Sequence, residues 1–536
     1  MKKILYILSF VGVIAFTPSC TDFLEENPYG KQSSDNFFSQ KEDLAASLNA
    51  LYSVVATSQA QNNYIGTNFL AGDDITTHPA SNKQPLREYD QYSVNDNNSW
   101  MLSLWEQRYK VIKAANFIIN NASRTPDVSK EAITEAVAQA HFWRAYSLFY
   151  LVTTWGKVPV MLNEEINYNA KVWSEEDIYT QILADLNIAE EGCPVLYSGA
   201  PYHNGSMNVA VSKPAVKAAT AYVYMCMAGW PLNKGAEYYA LAAEKAEEVI
   251  DLVDSGTYQY RLLDNYADVY SVKYTQANPE VLLGIFYHRD RTPQMMPLTD
   301  LPDDIAYGGW DDTHGEIKFW KEFPDGPRKE ATYLPKLPFK DGENTVLRDW
   351  WYDNNGTRKA VAPVFNKSSE SSTRGEEFDY TSPLAPPQFG QKTIQVIRLS
   401  EVYCWYAEAS ARAGKVTSKV VEALNRVRNR ADGAQTNRYS MSMSAEEIAE
   451  AAYNEHGWEM AGYYWCGFAP RARDMFRMNR YKEHFEVRKK NEPIEVVEGS
   501  GIFRKEAVSA TGEWDDSKMY CPYPYTDTTY NPGLKN

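Results

Sequence analysis

The sequence contains few of the residues that build metal, redox or disulfide sites. It has only six cysteines and seven histidines in 536 residues. There is no Cys-x-x-Cys pair and no His-Glu-x-x-His run. The cysteines after residue 20 are too scattered to form an evident disulfide framework: Cys193, Cys226, Cys404, Cys466 and Cys521. We therefore expect buried unpaired thiols, no metal ion and no cofactor.

Signatures of catalysis are also missing from the sequence. It has neither a glycine-rich phosphate loop nor a Gly-x-Ser-x-Gly elbow. Carboxylates stand side by side at Asp73-Asp74, Asp303-Asp304 and Asp311-Asp312, but 70 acidic residues make such pairs common by chance. Residues 95–106 resemble a calcium loop only faintly, because Trp100 occupies the position that requires glycine. We interpret this segment as a polar turn and predict that the chain is not an enzyme.

A long apolar run, residues 4–16, lies at the N-terminus. Two lysines precede it and Ser19-Cys20 follows it. This pattern is typical of a signal peptide, and the run is shorter than the roughly 20 residues of a membrane span. We predict cleavage after residue 19 and lipidation of Cys20. Because Thr17 stands where lipoproteins usually have leucine, a soluble exported protein is the alternative. The formal net charge of −16 repels polyanions and argues against a nucleic-acid partner.

Helical periodicity is clearest in the first half of the chain and in one late segment. Ser174 and Ser444 each begin a pattern that resembles a capping box. Residues 140–152 are apolar on nearly every face, which predicts a central helix. Residues 214–250 and 398–430 each indicate a pair of helices with small residues at the contacts, similar to tetratricopeptide units.

Between these helical segments, the chain loses its periodicity. Residues 265–397 carry many proline, glycine, aspartate and tyrosine residues, a composition typical of loops and short strands. Loops that are held by a rigid frame are a common place for ligand binding. We therefore expect a loop-rich subdomain that carries the binding function.

Several blocks of sequence resemble, in their order along nearly the whole chain, the SusD/RagB family of outer-membrane nutrient-binding lipoproteins. The blocks include Cys20-Thr21-Asp22-Phe23-Leu24, Asn36-Phe37-Phe38, Phe142-Trp143-Arg144-Ala145, Trp155-Gly156-Lys157-Val158-Pro159, Asp177-Ile178-Tyr179, Arg398-Leu399-Ser400-Glu401 and Ala423-Leu424-Asn425-Arg426-Val427-Arg428. One departure is Asn454-Glu455-His456-Gly457, which replaces the usual Asn-Glu-Arg-Arg run of the family.

The resemblance implies a mostly α fold. Its tetratricopeptide-like helix pairs would form a right-handed frame over approximately residues 36–260 and 392–490, and the ligand-binding subdomain would cover approximately 265–397. A single SusD-like domain, residues 20–536, would follow the signal peptide, residues 1–19.

The function implied by the resemblance is non-catalytic capture of an oligosaccharide or polysaccharide at the cell surface. The partner would be a SusC-like TonB-dependent outer-membrane transporter, and the lipid on Cys20 would hold the protein in the membrane. Capture of a peptide or another nutrient by the same fold is the first alternative. A lipid-anchored hydrolase and a pure scaffold are the others.

Candidate ligand residues follow from the chemistry of sugar binding, which needs aromatic faces flanked by hydrogen-bonding groups. Two loop segments offer both kinds of group, and an early region is a further candidate. The residues are Tyr307, Trp310, Asp311, Asp312, Trp350, Trp351, Asp353 and Asn354 in the loops, and Tyr64 and Asp73 in the early region. We expect Trp310 and Trp351 to be the stacking platforms; the alternative is that these rings anchor the loops onto the frame.

Overall fold

Helices make up most of the protein, as a computed structural model of the full sequence shows. The structure describes residues 37–59, 72–80, 82, 84–165, 167–197, 203–204, 207–275, 277–287, 299–300, 310–341, 344–353, 360–367, 391–463 and 467–534. The predicted mostly α fold class is confirmed.

The described helices fall into two long series with short elements between them. They are α1 (Glu42–Gln59), α2 (Gln84–Asp90), α3 (Ser99–Asn121), α4 (Lys130–Trp155), α5 (Glu175–Gly192), α6 (Lys213–Ala228), α7 (Ala236–Asp254), α8 (Ile317–Glu322), α9 (Pro327–Thr332), α10 (Leu399–Arg412), α11 (Ser418–Asp432), α12 (Ala445–Met460), α13 (Arg471–Arg477), α14 (Tyr481–Lys490) and α15 (Tyr525–Tyr530).

The described strands are short and form antiparallel ribbons of two. They are β1 (Ile75–Thr77), β2 (His203–Asn204), β3 (Met207–Asn208), β4 (Val281–Ile285), β5 (Thr313–Gly315), β6 (Leu337–Asp341), β7 (Asn344–Arg348), β8 (Ile394–Arg398), β9 (Ile494–Glu495) and β10 (Phe503–Arg504). The pairs are β1 with β5, β2 with β3, β4 with β8, β6 with β7, and β9 with β10.

Side-chain caps explain why several helices begin where they do. The hydroxyl of Ser174 accepts a hydrogen bond from the backbone N–H of Asp177 (3.1 Å) at the start of α5. Ser444 and Glu447 exchange the two bonds of a complete capping box at α12. The side chain of Asn98 accepts from two backbone N–H groups at the start of α3. Asn98 therefore ends a turn and caps α3. The interpretation of residues 95–106 as a polar turn is confirmed only for residues 95–98, because residues 99–106 form the first turns of α3.

Consecutive helices of the frame pack against one another. Helix α4 lies between α3 and α5, α6 packs on α7, and α10 contacts α7, α11 and α12. From Ala138 to Trp155 every residue of α4 is buried, and the indole of Trp143 is fully buried. The prediction of a central helix over residues 140–152 is confirmed, since a helix that is apolar on all faces is stable only inside the core.

A buried network of charges fastens the ribbon of β4 and β8 to the late helices. The Nη1 atom of Arg398 lies 2.9 Å from a carboxylate oxygen of Glu280 and 2.9 Å from one of Glu459. Arg430 also pairs with both carboxylates, and Arg328 Nη1 lies 3.2 Å from Glu459 Oε2. Burial raises the pKa of Glu459, but these guanidinium groups outweigh burial and hold it well below its usual range. The network joins elements that are distant in sequence.

His456 and Gly457, which depart from the family pattern, both make close contacts with buried side chains. The His456 Nδ1 atom contacts Asp474, and Nε2 lies 3.4 Å from Glu401 Oε1. A Cβ atom on Gly457 would lie 2.7 Å from Nη1 of Arg471. The Arg471 side chain therefore occupies the space beside Gly457, where a larger residue would collide with it.

The thiols agree with the expectation from the sequence. Cys193, Cys226 and Cys404 are unpaired and buried, and Cys521 is unpaired and half-buried; Cys466 and Cys20 lie outside the described residues. Among the described helices, none has the length and apolar character needed to cross a membrane.

Candidate functional site

Two of the predicted regions flank the ribbon that β1 and β5 form. Ile75 pairs with Gly315 and Thr77 pairs with Thr313. Asp73 and its neighbour lead into β1, and the segment that starts at Trp310 leads into β5. Because the strands are antiparallel, these two groups lie at opposite ends of the ribbon.

At one end of the ribbon, Trp310 is exposed while the two aspartates that follow it are buried. The Trp310 side chain is 38% exposed, whereas Asp311 and Asp312 are 6% and 5% exposed. The Asp311 carboxylate lies 2.8 Å from Nε2 of His314 and 3.3 Å from Nε2 of His78. Asp311 also has a positive φ of 58°, which is uncommon for a residue other than glycine. The structure therefore gives Asp311 an anchoring role beneath Trp310 and does not present it as a free acceptor.

The backbone of Asp312 completes this anchor. Its N–H donates to the carbonyl oxygen of Thr299 (2.8 Å), and its carbonyl accepts from the N–H of His78 (3.2 Å). The Asp312 carboxylate lies in the buried part of the segment. Of the three neighbouring candidates, only the Trp310 ring is available to a ligand from solvent.

At the other end of the ribbon, Asp73 belongs to a compact cluster of charges. Its carboxylate accepts two hydrogen bonds from Arg471, at 2.7 and 2.9 Å. Burial raises the pKa of Asp73, but the ion pair with Arg471 outweighs burial and leaves the pKa below its usual value. Burial, with a smaller effect of the Asp73 carboxylate, raises the pKa of Asp74 to about 6. Burial and the nearby carboxylates also raise the pKa of Glu316.

This cluster has protonatable carboxylates but little room for a substrate. The cavity between Asp73, Glu316 and His484 has a volume of about 120 Å³, below the roughly 300 Å³ at which small-molecule sites begin. The Nε2 atom of His484 lies 2.9 Å from Glu316, and Asp73 is held by Arg471. A carboxylate pair that hydrolyses a glycosidic bond must flank a bound sugar, and this cavity is too small for one.

Three tryptophans form a second cluster in the loop-rich region. The ring centroids of Trp320, Trp350 and Trp351 lie 5.5 to 5.6 Å from one another. Trp350 is only 3% exposed and belongs to a small core with Leu337 and Val364. The structure thus places the Trp350 ring inside the subdomain, where stacking on a ligand is sterically blocked.

Trp351 and the two residues after it form the outer side of this cluster. Trp351 and Tyr352 are half-buried and Asp353 is exposed. Arg504 donates a hydrogen bond to the carbonyl oxygen of Trp351 (2.5 Å), and the guanidinium of Arg348 lies 5.0 Å from the centre of the Tyr352 ring. The backbone of Trp351 is therefore held in place, while its side chain remains partly accessible near the exposed Asp353.

Helix α8 connects the two groups of candidates, since it follows β5 directly and carries Trp320. Trp320 and His78 were not predicted as site residues, and no local sequence pattern marks either of them. Both acquire their roles from partners far away in the chain. Tyr307, Asn354, Tyr64 and Cys20 lie outside the described residues.

Comparisons with known proteins match both ends of the chain to one family. A family model described as starch-binding and associating with the outer membrane matches residues 22–225, and the SusD family model matches residues 353–536. SusD-like protein P2 of Formosa agariphila is 26% identical over 80% of this chain and 82% of its own. A SusD-like protein of Bacteroides ovatus is 24% identical over 100% of this chain and 97% of its own.

Solved structures share the fold across nearly the whole chain. A SusD homolog from Bacteroides thetaiotaomicron has a TM-score of 0.73 at 18% identity and covers 93% of this chain and 97% of its own. A structure described as a complex with a xylogluco-oligosaccharide has a TM-score of 0.70 at 21% identity and covers 92% of this chain and 98% of its own. The chain therefore belongs to the SusD/RagB family of SusD-like proteins.

Proposed function

We propose that this protein captures a neutral glycan at the outer face of the outer membrane and passes it to a TonB-dependent transporter without catalysis. The observation that carries the proposal is the similarity, over 92% of this chain, to a solved structure that is described with a xylogluco-oligosaccharide. The negative net charge makes a neutral glycan a better ligand than a polyanionic one.

The proposed ligand surface uses Trp310 and Trp351 as stacking platforms and Asp353 as a hydrogen-bond acceptor. Trp310 is 38% exposed on a segment that buried contacts hold in place, so little conformational entropy is lost when a sugar binds. Asp353 is exposed beside the accessible part of Trp351. The buried neighbours of these rings hold them in place. Trp350 packs against Trp351, and Asp311 and Asp312 anchor the segment that carries Trp310.

Isothermal titration calorimetry with a panel of neutral oligosaccharides tests this surface. A stacking contact contributes about 0.5–1.5 kcal/mol beyond burial, so Trp310→Ala or Trp351→Ala should weaken binding by about ten-fold where the ring is a central platform. Tyr525→Ala is the matched control, because Tyr525 is 56% exposed on α15 and lies outside the proposed surface. Unchanged affinity in both tryptophan variants, with folding verified by circular dichroism, would assign these rings a structural role.

The alternatives predict different outcomes from the same material. Capture of a peptide predicts binding to a peptide panel and no binding to the glycans. A hydrolase predicts release of product from a glycan, which the small cavity beside Asp73 argues against. A pure scaffold predicts that the transporter binds and that no small ligand does.

Surface anchoring and the transporter partner need their own experiments. Cys20→Ala should release the protein from the membrane fraction, because the several acyl chains of a bacterial lipoprotein provide firm anchoring that one chain does not. If the variant still labels with fatty acid, lipidation at Cys20 is refuted. Purification from native membranes in mild detergent should recover a TonB-dependent barrel with the wild-type protein.

A further inference from the structure

A separate cleft lies on the helical frame and shares no residue with the proposed ligand surface. It is bounded by α3, by the connection between α4 and α5, and by the C-terminal segment that includes α15. Its volume is about 490 Å³, which is within the range of about 300–1,000 Å³ found for small-molecule sites. The cleft is therefore large enough for part of an oligosaccharide.

Two tyrosines on the cleft are exposed to an unusual degree. Tyr530 is 71% exposed and Tyr168 is 62% exposed, which are the highest values for any large apolar or aromatic side chain that the structure describes. Both residues line the cleft. Aromatic rings with one face free and a polar hydroxyl suit ligands that combine apolar C–H surfaces with hydroxyl groups.

The floor of the cleft is aromatic and firmly held. Trp105 is 3% exposed, and its indole N–H donates to Asp527 Oδ1 at 2.9 Å. The Tyr109 ring lies 4.9 Å from that of Trp105, and its hydroxyl donates to the carbonyl oxygen of Pro159 at 2.8 Å. These hydrogen bonds tie α3 both to the connection after α4 and to α15.

Two asparagines fasten the walls to each other. The Asn116 amide donates to the carbonyl oxygens of Met161 and Asn163, both at 2.9 Å. The Asn531 amide donates to the carbonyl oxygen of Ala170 at 3.0 Å. Because all three walls are connected by such bonds, the cleft is preformed and binding needs little reorganisation.

The polar lining favours an uncharged ligand. Four carboxylates and two lysines line the cleft, so negative charge is in excess and an anionic ligand is disfavoured: Glu106, Glu164, Glu165, Asp527, Lys110 and Lys113. The side chains of Asn163, Glu165 and Lys113 face no protein partner within the described part of the chain. They remain available to donate to, or accept from, sugar hydroxyls.

We propose that this cleft is a second site for a neutral oligosaccharide, in which Tyr168 and Tyr530 stack on sugar rings and Asn163 binds hydroxyl groups. The inference rests on the glycan-binding function proposed above. Two sites on one protein would hold a polysaccharide more tightly than either site alone, because the second contact becomes intramolecular.

Calorimetry on three variants of the full-length protein tests the second site. The cleft variant carries Tyr168→Ala and Tyr530→Ala, the loop variant carries Trp310→Ala and Trp351→Ala, and Tyr525→Ala is the control. Tyr525 lies on the same helix as Tyr530 and is similarly exposed, but it does not line the cleft. The probes are xylogluco-, cello- and malto-oligosaccharides and the corresponding polysaccharides.

We expect the loop variant to keep a binding event that is weakened about ten-fold or more when the cleft changes are added. The cleft variant alone should bind the polysaccharide more weakly, and Tyr525→Ala should match the wild type. Circular dichroism and melting temperature should be unchanged, since exposed side chains contribute little to stability.

Several outcomes would overturn the proposal. If the cleft variant binds every probe like the wild type, the second site is refuted while glycan capture by the loop surface stands. If the cleft variant loses only the transporter on purification, the cleft is a protein contact and not a sugar site. If the wild type binds no probe, the second site and the proposed glycan function both fail.

Discussion

His456 should make the stability of this protein depend on pH in the alkaline range. Burial lowers the pKa of His456, but the carboxylates of Asp474 and Glu401 outweigh burial and raise the pKa from 6.5 to about 9. An imidazole with this pKa is protonated at neutral pH. Its Nδ1 contacts Asp474, and its Nε2 lies 3.4 Å from Glu401 Oε1 and 3.2 Å from the indole nitrogen of Trp405. The fully buried ring thus carries a positive charge that its two partners stabilise.

The size of the effect follows from proton linkage. Below pH 6.5, the folded and unfolded chains both carry the proton, and the interaction contributes in full. Between pH 6.5 and about 9, the unfolded chain has lost the proton that the folded chain still holds. Unfolding free energy therefore falls with rising pH across this window, by about 3 kcal/mol in total. Above it, the contribution of His456 is lost.

Chemical denaturation at a series of pH values, followed by tryptophan fluorescence and by far-ultraviolet circular dichroism, measures this loss. A chain of this size need not unfold in one step. The unfolding free energy can be read from the two signals only if their transitions coincide. His456→Gln removes the titrating group, so the difference between wild type and variant isolates its effect from other groups. A difference that stays constant between pH 6 and pH 10 would show that the protonation of His456 does not stabilise the folded protein.

Three further predictions concern the stability of the frame. Glu459→Gln leaves buried guanidinium groups without their shared carboxylate and should cost about 3–5 kcal/mol; a loss below 1 kcal/mol on denaturation would contradict this. Gly462→Ala should cost about 2–4 kcal/mol, since Gly462 has a φ of +71° and a Cβ atom would lie 2.3 Å from the Phe365 ring. The control is Gly501→Ala, where φ is +70° and no atom lies near the added Cβ. A similar loss of stability there would show that backbone strain, and not the clash with Phe365, causes the loss. Ser444→Ala removes a cap and should lower the unfolding free energy by about 1 kcal/mol, measured by denaturation at fixed pH.

Local sequence was sufficient to predict much of the helical frame. The caps at Ser174 and Ser444 and the apolar stretch of α4 depend on residues within a few positions of one another. Such short-range patterns determine helix starts and buried faces before any tertiary contact is known. The family resemblance, which rests on the order of several blocks, is confirmed by the two family models and by the similar proteins. The boundaries of the loop-rich subdomain and the ligand residues stay predictions.

Only the tertiary structure decided which candidate side chains can meet a ligand. Trp350 and Trp351 are adjacent in sequence, yet Trp350 is buried and Trp351 is partly accessible. Asp311 became an anchor because β5 pairs with β1, a strand far earlier in the chain, and brings His78 beside it. The cleft on the frame likewise needs walls from three distant segments. The sequence alone determined which residues could stack or hydrogen-bond, but burial depends on long-range contacts, and these decided which of those residues face solvent.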